Sequence, residues 1–180
     1  MSIDECIEQL ITSRKLNPLS PTISGEVCLR TVLVTERIQE YLNQDVSLPK
    51  KFRRTAIESR LVIDRFLAPK TPTTVGLAPY NSPSFTVLAL LDHGFITVWE
   101  FRVRDPNPQV RIFGCFAQKD TFIALTYGNR DTLDFSQKNA ETRRIWKALF
   151  KQLPSVQGDK IDEYLSEKYK IVRTSRKRGH

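Results

Sequence analysis

Three strand signals in close succession, between residues 95 and 127, constrain this chain more than any other feature. Phe95 to Arg104 alternates: Phe95, Thr97, Trp99, Phe101 and Val103 share one face, and Ile96, Val98, Glu100, Arg102 and Arg104 share the other. Val110 to Ala117 and Thr121 to Tyr127 follow, across the turns Asp105-Pro106-Asn107-Pro108 and Gln118-Lys119-Asp120. Turns this short predict an antiparallel meander.

The flanking segments predict helices. Cys28 to Val34 is β-rich, and Thr35 is placed to cap a helix over about 36–45 with Ile38, Tyr41 and Leu42 on one face. Residues 50–67 set Phe52, Ala56, Ile63, Phe66 and Leu67 along one stripe. Pro69, Pro72, Gly76, Pro79 and Pro83 then break the chain, so residues 69–94 read as an insertion. From about Ala140 a helix carries Ile145, Trp146, Leu149, Phe150 and Leu153 as far as Pro154, and a last helical stretch over about 159–169 leads into a basic tail. The first 27 residues read as an arm with one small helix at Ile3, Ile7, Leu10 and Ile11. The expected division is an N-terminal arm (1–27), a domain (28–153) with the 69–94 insertion, and a C-terminal helix and basic tail (154–180). The expected class is α+β: a mostly antiparallel sheet with a three-stranded meander, helices mainly on one face, and the other face free.

Composition narrows the chemistry. Twenty-eight Lys and Arg against 20 Asp and Glu leave a formal charge of +8, which favours a polyanionic partner, nucleic acid before acidic lipid. The longest strongly apolar run, Phe85 to Leu91, is far short of the ~20 residues of a membrane span. Cys6, Cys28 and Cys115 form no C-x-x-C pair, which suits a reducing, cytoplasmic setting. The histidines, His93 and His180, supply poor material for paired imidazole chemistry, and no metal cluster, phosphate-binding loop, dinucleotide fingerprint or nucleophile elbow is present. No metal or cofactor is expected. What remains is arginine. Arg102 and Arg104 share a strand face, Arg111 comes early on the next strand, and Arg130 follows the last, so a meander gathers all four into one neighbourhood. A guanidinium fork matches phosphate oxygens and keeps its charge at any relevant pH.

The succession Val32-Leu33-Val34, two helices, Trp99-Glu-Phe-Arg-Val-Arg104, Val110-Arg111-Ile-Phe and Phe122 to Arg130 resembles the RelE-like toxins of bacterial toxin–antitoxin systems over about residues 28–153. The shared marks are a basic strand (Arg102, Arg104), an apolar residue followed by Arg (Val110-Arg111), and a last strand ending in Gly-x-Arg (Gly128-Asn129-Arg130). The resemblance implies a RelE-like topology and a metal-independent, ribosome-dependent messenger-RNA endonuclease that uses the substrate's own 2′-hydroxyl, neutralised by a cognate antitoxin protein. Arg111 and Arg130 would then stabilise the charge built at phosphorus, while Arg102 and Arg104 hold the flanking backbone. Tyr127, Lys119 and Glu100 are the acid–base candidates, Tyr127 ranked with the catalytic arginines and Lys119 with the RNA-binding residues. The tail residues Arg173, Arg176, Lys177 and Arg178 would add RNA contacts. The alternative is a non-catalytic module that binds nucleic acid or a protein target such as gyrase.

Overall fold

The computed structural model describes residues 1–44 and 48–174; Arg176, Lys177, Arg178 and His180, and the end of the helix expected over 36–45, lie outside them. Along the described chain run α1 (Ile3–Thr12), β1 (Asn17–Pro18), β2 (Thr31–Val34), α2 (Glu36–Leu42), α3 (Lys50–Leu67), β3 (Thr73–Gly76), β4 (Leu88–Asp92), β5 (Val98–Val103), β6 (Val110–Gln118), β7 (Thr121–Asn129), α4 (Phe135–Phe150) and β8 (Tyr169–Ile171). All eight strands join one sheet in the order β1-β2-β7-β6-β5-β4-β3-β8.

This architecture overturns the expectation of a mostly antiparallel sheet of RelE-like topology. The sheet is mixed, because β2 runs parallel to β7, and β3 runs parallel to both β4 and β8. The error has a physical source. Pro72 immediately precedes β3, and Pro79 and Pro83 fall between β3 and β4, so these prolines punctuate two strands instead of excluding them. Residues 69–94 therefore extend the sheet beyond β5. The helix expected over 159–169 is also absent. A 3₁₀ turn at Ile161–Glu163 is followed by β8, where Thr73 N–H donates to the Lys168 carbonyl and Val172 N–H donates to the Val75 carbonyl. The segment containing Lys168 and Lys170 is thus built into the sheet.

Helices cover both faces of the sheet, not one. Val32, Val34, Trp99, Phe101, Ile112, Phe122 and Ala124 pack with Ile38 and Tyr41 of α2 and with Ala56, Ile63 and Phe66 of α3. Leu33, Cys115, Ile123 and Leu125 pack on the opposite face with Cys6 and Leu10 of α1 and with Trp146 and Phe150 of α4. Period two sends alternate residues of each central strand into two different cores, so these strands read as nearly continuous apolar runs. The N-terminal segment reaches the second core because Ser2 and Glu5 form a capping box that starts α1 and aims Cys6, Ile7 and Leu10 inward.

Arg30 joins three distant segments. It is 3% exposed, and its guanidinium lies 4.6 Å from the centroid of the Phe66 ring. Nη1 donates to the Phe66 carbonyl and Thr73 Oγ1 at 3.2 and 2.9 Å, and Nη2 donates to the carbonyls of Glu167 and Lys168 at 2.6 and 2.9 Å. The end of α3, the start of β3 and the approach to β8 therefore converge on one planar fork. Arg30→Ala should lower unfolding free energy by about 3–5 kcal/mol in denaturant titration, because it orphans several buried acceptors at once. Arg30→Lys should recover little of that loss, since a single ammonium cannot reproduce the fork.

Candidate functional site

On the face covered by α1 and α4, period two brings Val98, Glu100 and Arg102 of β5 beside Arg111 and Phe113 of β6. Arg102 pairs directly with Arg111, and Glu100 pairs with Phe113. The apolar end of this patch, Leu91, Val98 and Phe113, is covered by Leu133 and Phe135 where α4 begins. Asp134 starts that helix, its carboxylate accepting from Gln137 N–H at 3.0 Å. Gly128, opposite Arg111, admits the approach of this corner: a Cβ there would stand 2.6 Å from Leu133 Cδ1.

Past Phe135 the helical cover stops, and the arginine end of the strands opens into a cleft of about 660 Å³. Glu100, Arg102, Gln109, Arg111 and Arg130 line it from the sheet side. Tyr80, Ser82 and Ser84 line it from the connection between β3 and β4, with Asp131 and Phe135 completing the wall.

Glu100 lies at the floor, 1% exposed. Arg102 Nε donates to its Oε1 at 2.7 Å, while Arg111 Nε stands 3.5 Å from Oε2 as an ion pair without hydrogen-bond geometry. Burial holds the Glu100 carboxyl above the usual carboxylate range, against the pull of Arg102, Arg111 and Arg130. Burial likewise pushes Arg111 down, to about 10, with Arg102, Arg130 and Arg104 adding to the effect and Glu100 opposing it. Arg111 therefore stays charged at neutral pH. Three guanidiniums against the buried Glu100 and the exposed Asp131 leave the cleft with excess positive charge and donors not fully used.

The predicted site residues separate into groups. Arg102, Arg111 and Arg130 meet in the cleft. Arg102 also fastens its wall, with Nη1 donating to the carbonyls of Ser82 and Pro83 at 3.3 and 3.1 Å. Arg104 fastens the same connection through Nη2 to the Thr86 carbonyl at 2.8 Å and stands beside the cleft. The exposed Arg130 places its guanidinium 5.4 Å from the Phe135 ring centroid. Tyr127 is not in the cleft. It packs with the α2–α3 core, stacked on Tyr41 at 4.2 Å with the Arg37 guanidinium over its ring. Lys119 occupies the β6–β7 turn, at the opposite end of β6 from Arg111 and on the order of 25 Å along the strand. Arg173 is exposed after β8, lining a separate groove with Leu77 and Ala78. Arg176, Lys177 and Arg178 lie outside the described residues.

Sequence reasoning missed Tyr80, Ser82, Ser84, Gln109 and Phe135. The only signal was the length of the 69–94 segment, since a long connection in a compact domain often serves a site. Among the described residues no group of His, Cys, Asp and Glu is placed to hold a metal ion, and no helix is long and apolar enough to cross a membrane. No protein-family model, curated protein or solved structure matches the chain.

The carboxylate at the floor is what allows arginines to sit so close together. Glu100→Ala should destabilise the protein by about 3–5 kcal/mol in chemical denaturation, by leaving Arg102 and Arg111 without their counter-charge. Glu100→Gln, which keeps an acceptor for Arg102 Nε, should cost less.

Proposed function

We propose that this chain binds nucleic acid, RNA first, by gripping backbone phosphate in the cleft between β5, β6 and the connection from β3 to β4. The observation that carries this reading is the convergence of Arg102, Arg111 and Arg130 around the single buried carboxylate of Glu100. Guanidiniums with unused donors in a partly desolvated recess suit a dianionic or diester phosphate better than a carboxylate, which Glu100 already supplies. The formal charge of +8 adds long-range attraction to a polyanion.

Binding without cleavage is the reading the geometry favours. Attack by a 2′-hydroxyl requires a group that takes its proton and another that protonates the leaving oxygen. Tyr127 faces the other core and Lys119 lies at the far end of the sheet, while the Glu100 oxygens are turned toward Arg102 and Arg111.

The test is fluorescence anisotropy with an end-labelled RNA across a salt series. Wild-type affinity should fall linearly in log–log form as salt rises. Arg111→Ala combined with Arg130→Ala should weaken binding at least about tenfold and reduce the slope by roughly 1.4, two phosphates at ~0.7 each for a single strand. The RNA should be recovered intact. Salt-insensitive binding, or a double variant that binds like wild type, would remove the proposal; RNA cut by wild type and spared by the double variant would restore the endonuclease reading.

A further inference from the structure

Tyr80 stands in the wall of the arginine cleft with 60% of its surface exposed, yet it is held from two sides. The Asn139 side chain, 4% exposed, donates from Nδ2 to the Tyr80 hydroxyl at 2.7 Å. The Tyr80 ring meets Phe135 edge to face, with centroids 6.2 Å apart and planes at 87°. Its backbone adopts φ +56°, in the left-handed region that a side chain ordinarily avoids. A buried amide and a disfavoured backbone conformation thus both serve to fix an aromatic ring that remains mostly in water. Packing on Phe135 explains only part of this arrangement, because Tyr80 stays 60% exposed. A ring whose orientation is set in advance is instead suited to receive another flat ring, and base–aromatic stacking is the usual means by which a protein holds an unpaired base.

The neighbouring groups fit the rest of a nucleotide. Ser82 and Ser84 offer hydroxyls and Gln109 an amide within the same cleft, while Arg111 and Arg130 supply positive charge. Its volume of about 660 Å³ lies within the range of small-ligand sites, ~300–1,000 Å³. We propose that the cleft takes one unpaired nucleotide of a single-stranded RNA, its base stacked on Tyr80 and its phosphate on Arg111 and Arg130. This rests on the nucleic-acid reading above and adds the class of substrate: an internal base of a duplex is stacked on both faces and cannot present one to Tyr80, so the body of a double-stranded RNA is excluded from the full contact.

The experiment compares three ligands, a short single-stranded RNA, the same strand with abasic positions, and a duplex, against wild type, Tyr80→Ala and Tyr80→Trp. Wild type should bind the single strand about tenfold more tightly than the abasic strand or the duplex, at the modest end of what base–aromatic stacking contributes. Tyr80→Ala should lose that factor for the intact single strand, lose nothing for the abasic strand, and keep the wild-type salt slope. Tyr80→Trp should retain affinity, and its indole emission should be quenched by the intact strand but not the abasic one; the native Trp99 and Trp146 are fully buried, and the wild-type titration supplies their background. Salt-dependent RNA binding that ignores base, strandedness and Tyr80 would overturn this inference alone and leave the phosphate grip standing. A wild-type protein that binds none of the three ligands would overturn both.

Discussion

A sheet buried on both faces can place polar chemistry only where its helical cover stops, and this constraint shapes the molecule. β5 shows it within six residues: Trp99, Phe101 and Val103 enter the core under α2 and α3, while Val98 is sealed by the start of α4. Glu100 and Arg102 come after that seal on the same face. Three arginines gathered in such a position would repel one another and lose hydration, and the buried carboxylate of Glu100 offsets part of that cost. The connection between β3 and β4 then closes the remaining side, drawn in by Arg102 and Arg104 through its own carbonyls. The cleft is thus a consequence of where α4 begins and of how the arginines are neutralised.

Two groups of buried arginine differ in a way that separates structure from function. Nη1 and Nη2 of Arg30 each donate to two acceptors, and its guanidinium lies against Phe66, so it is consumed in joining α3, β3 and β8. Arg111 is buried almost as deeply but donates only to the Val110 carbonyl; the Nε of both arginines faces a carboxylate without a hydrogen bond, so the contrast lies in the terminal nitrogens. A buried guanidinium with unused donors is costly unless a ligand supplies acceptors. That difference in the terminal nitrogens, more than the number of arginines, is what supports the proposal of an anion in the cleft.

The meander and the arginine set were legible because both depend on period two, which a single strand displays in its own residues. Ranking Tyr127 with the catalytic arginines follows its chemistry alone; on β7 its ring turns to the α2–α3 core and not to the cleft. Sheet partners were not legible. Nothing within Thr73–Gly76 or Tyr169–Ile171 announces that these short segments lie parallel to each other across almost a hundred residues. The prolines flanking the first segment and the lysines of the second read locally as loop and solvated tail, and backbone pairing between strands distant in sequence overrides that local reading, although Lys170 and Ile171 stay exposed. Tyr80 was hidden for the same reason, since its role depends on Asn139 and Phe135, which arrive from another part of the chain.

The central claim, that the arginine end of β5 and β6 is an anion site, is tested most directly by titrating the protein with a short single-stranded RNA while following arginine side-chain N–H resonances by NMR. The account predicts that the side-chain signals of Arg102, Arg111 and Arg130 shift together and saturate at one stoichiometry, with Arg30 unmoved. Shifts confined to Arg173 and other surface positions, with the Arg111 signal unchanged at saturation, would contradict it.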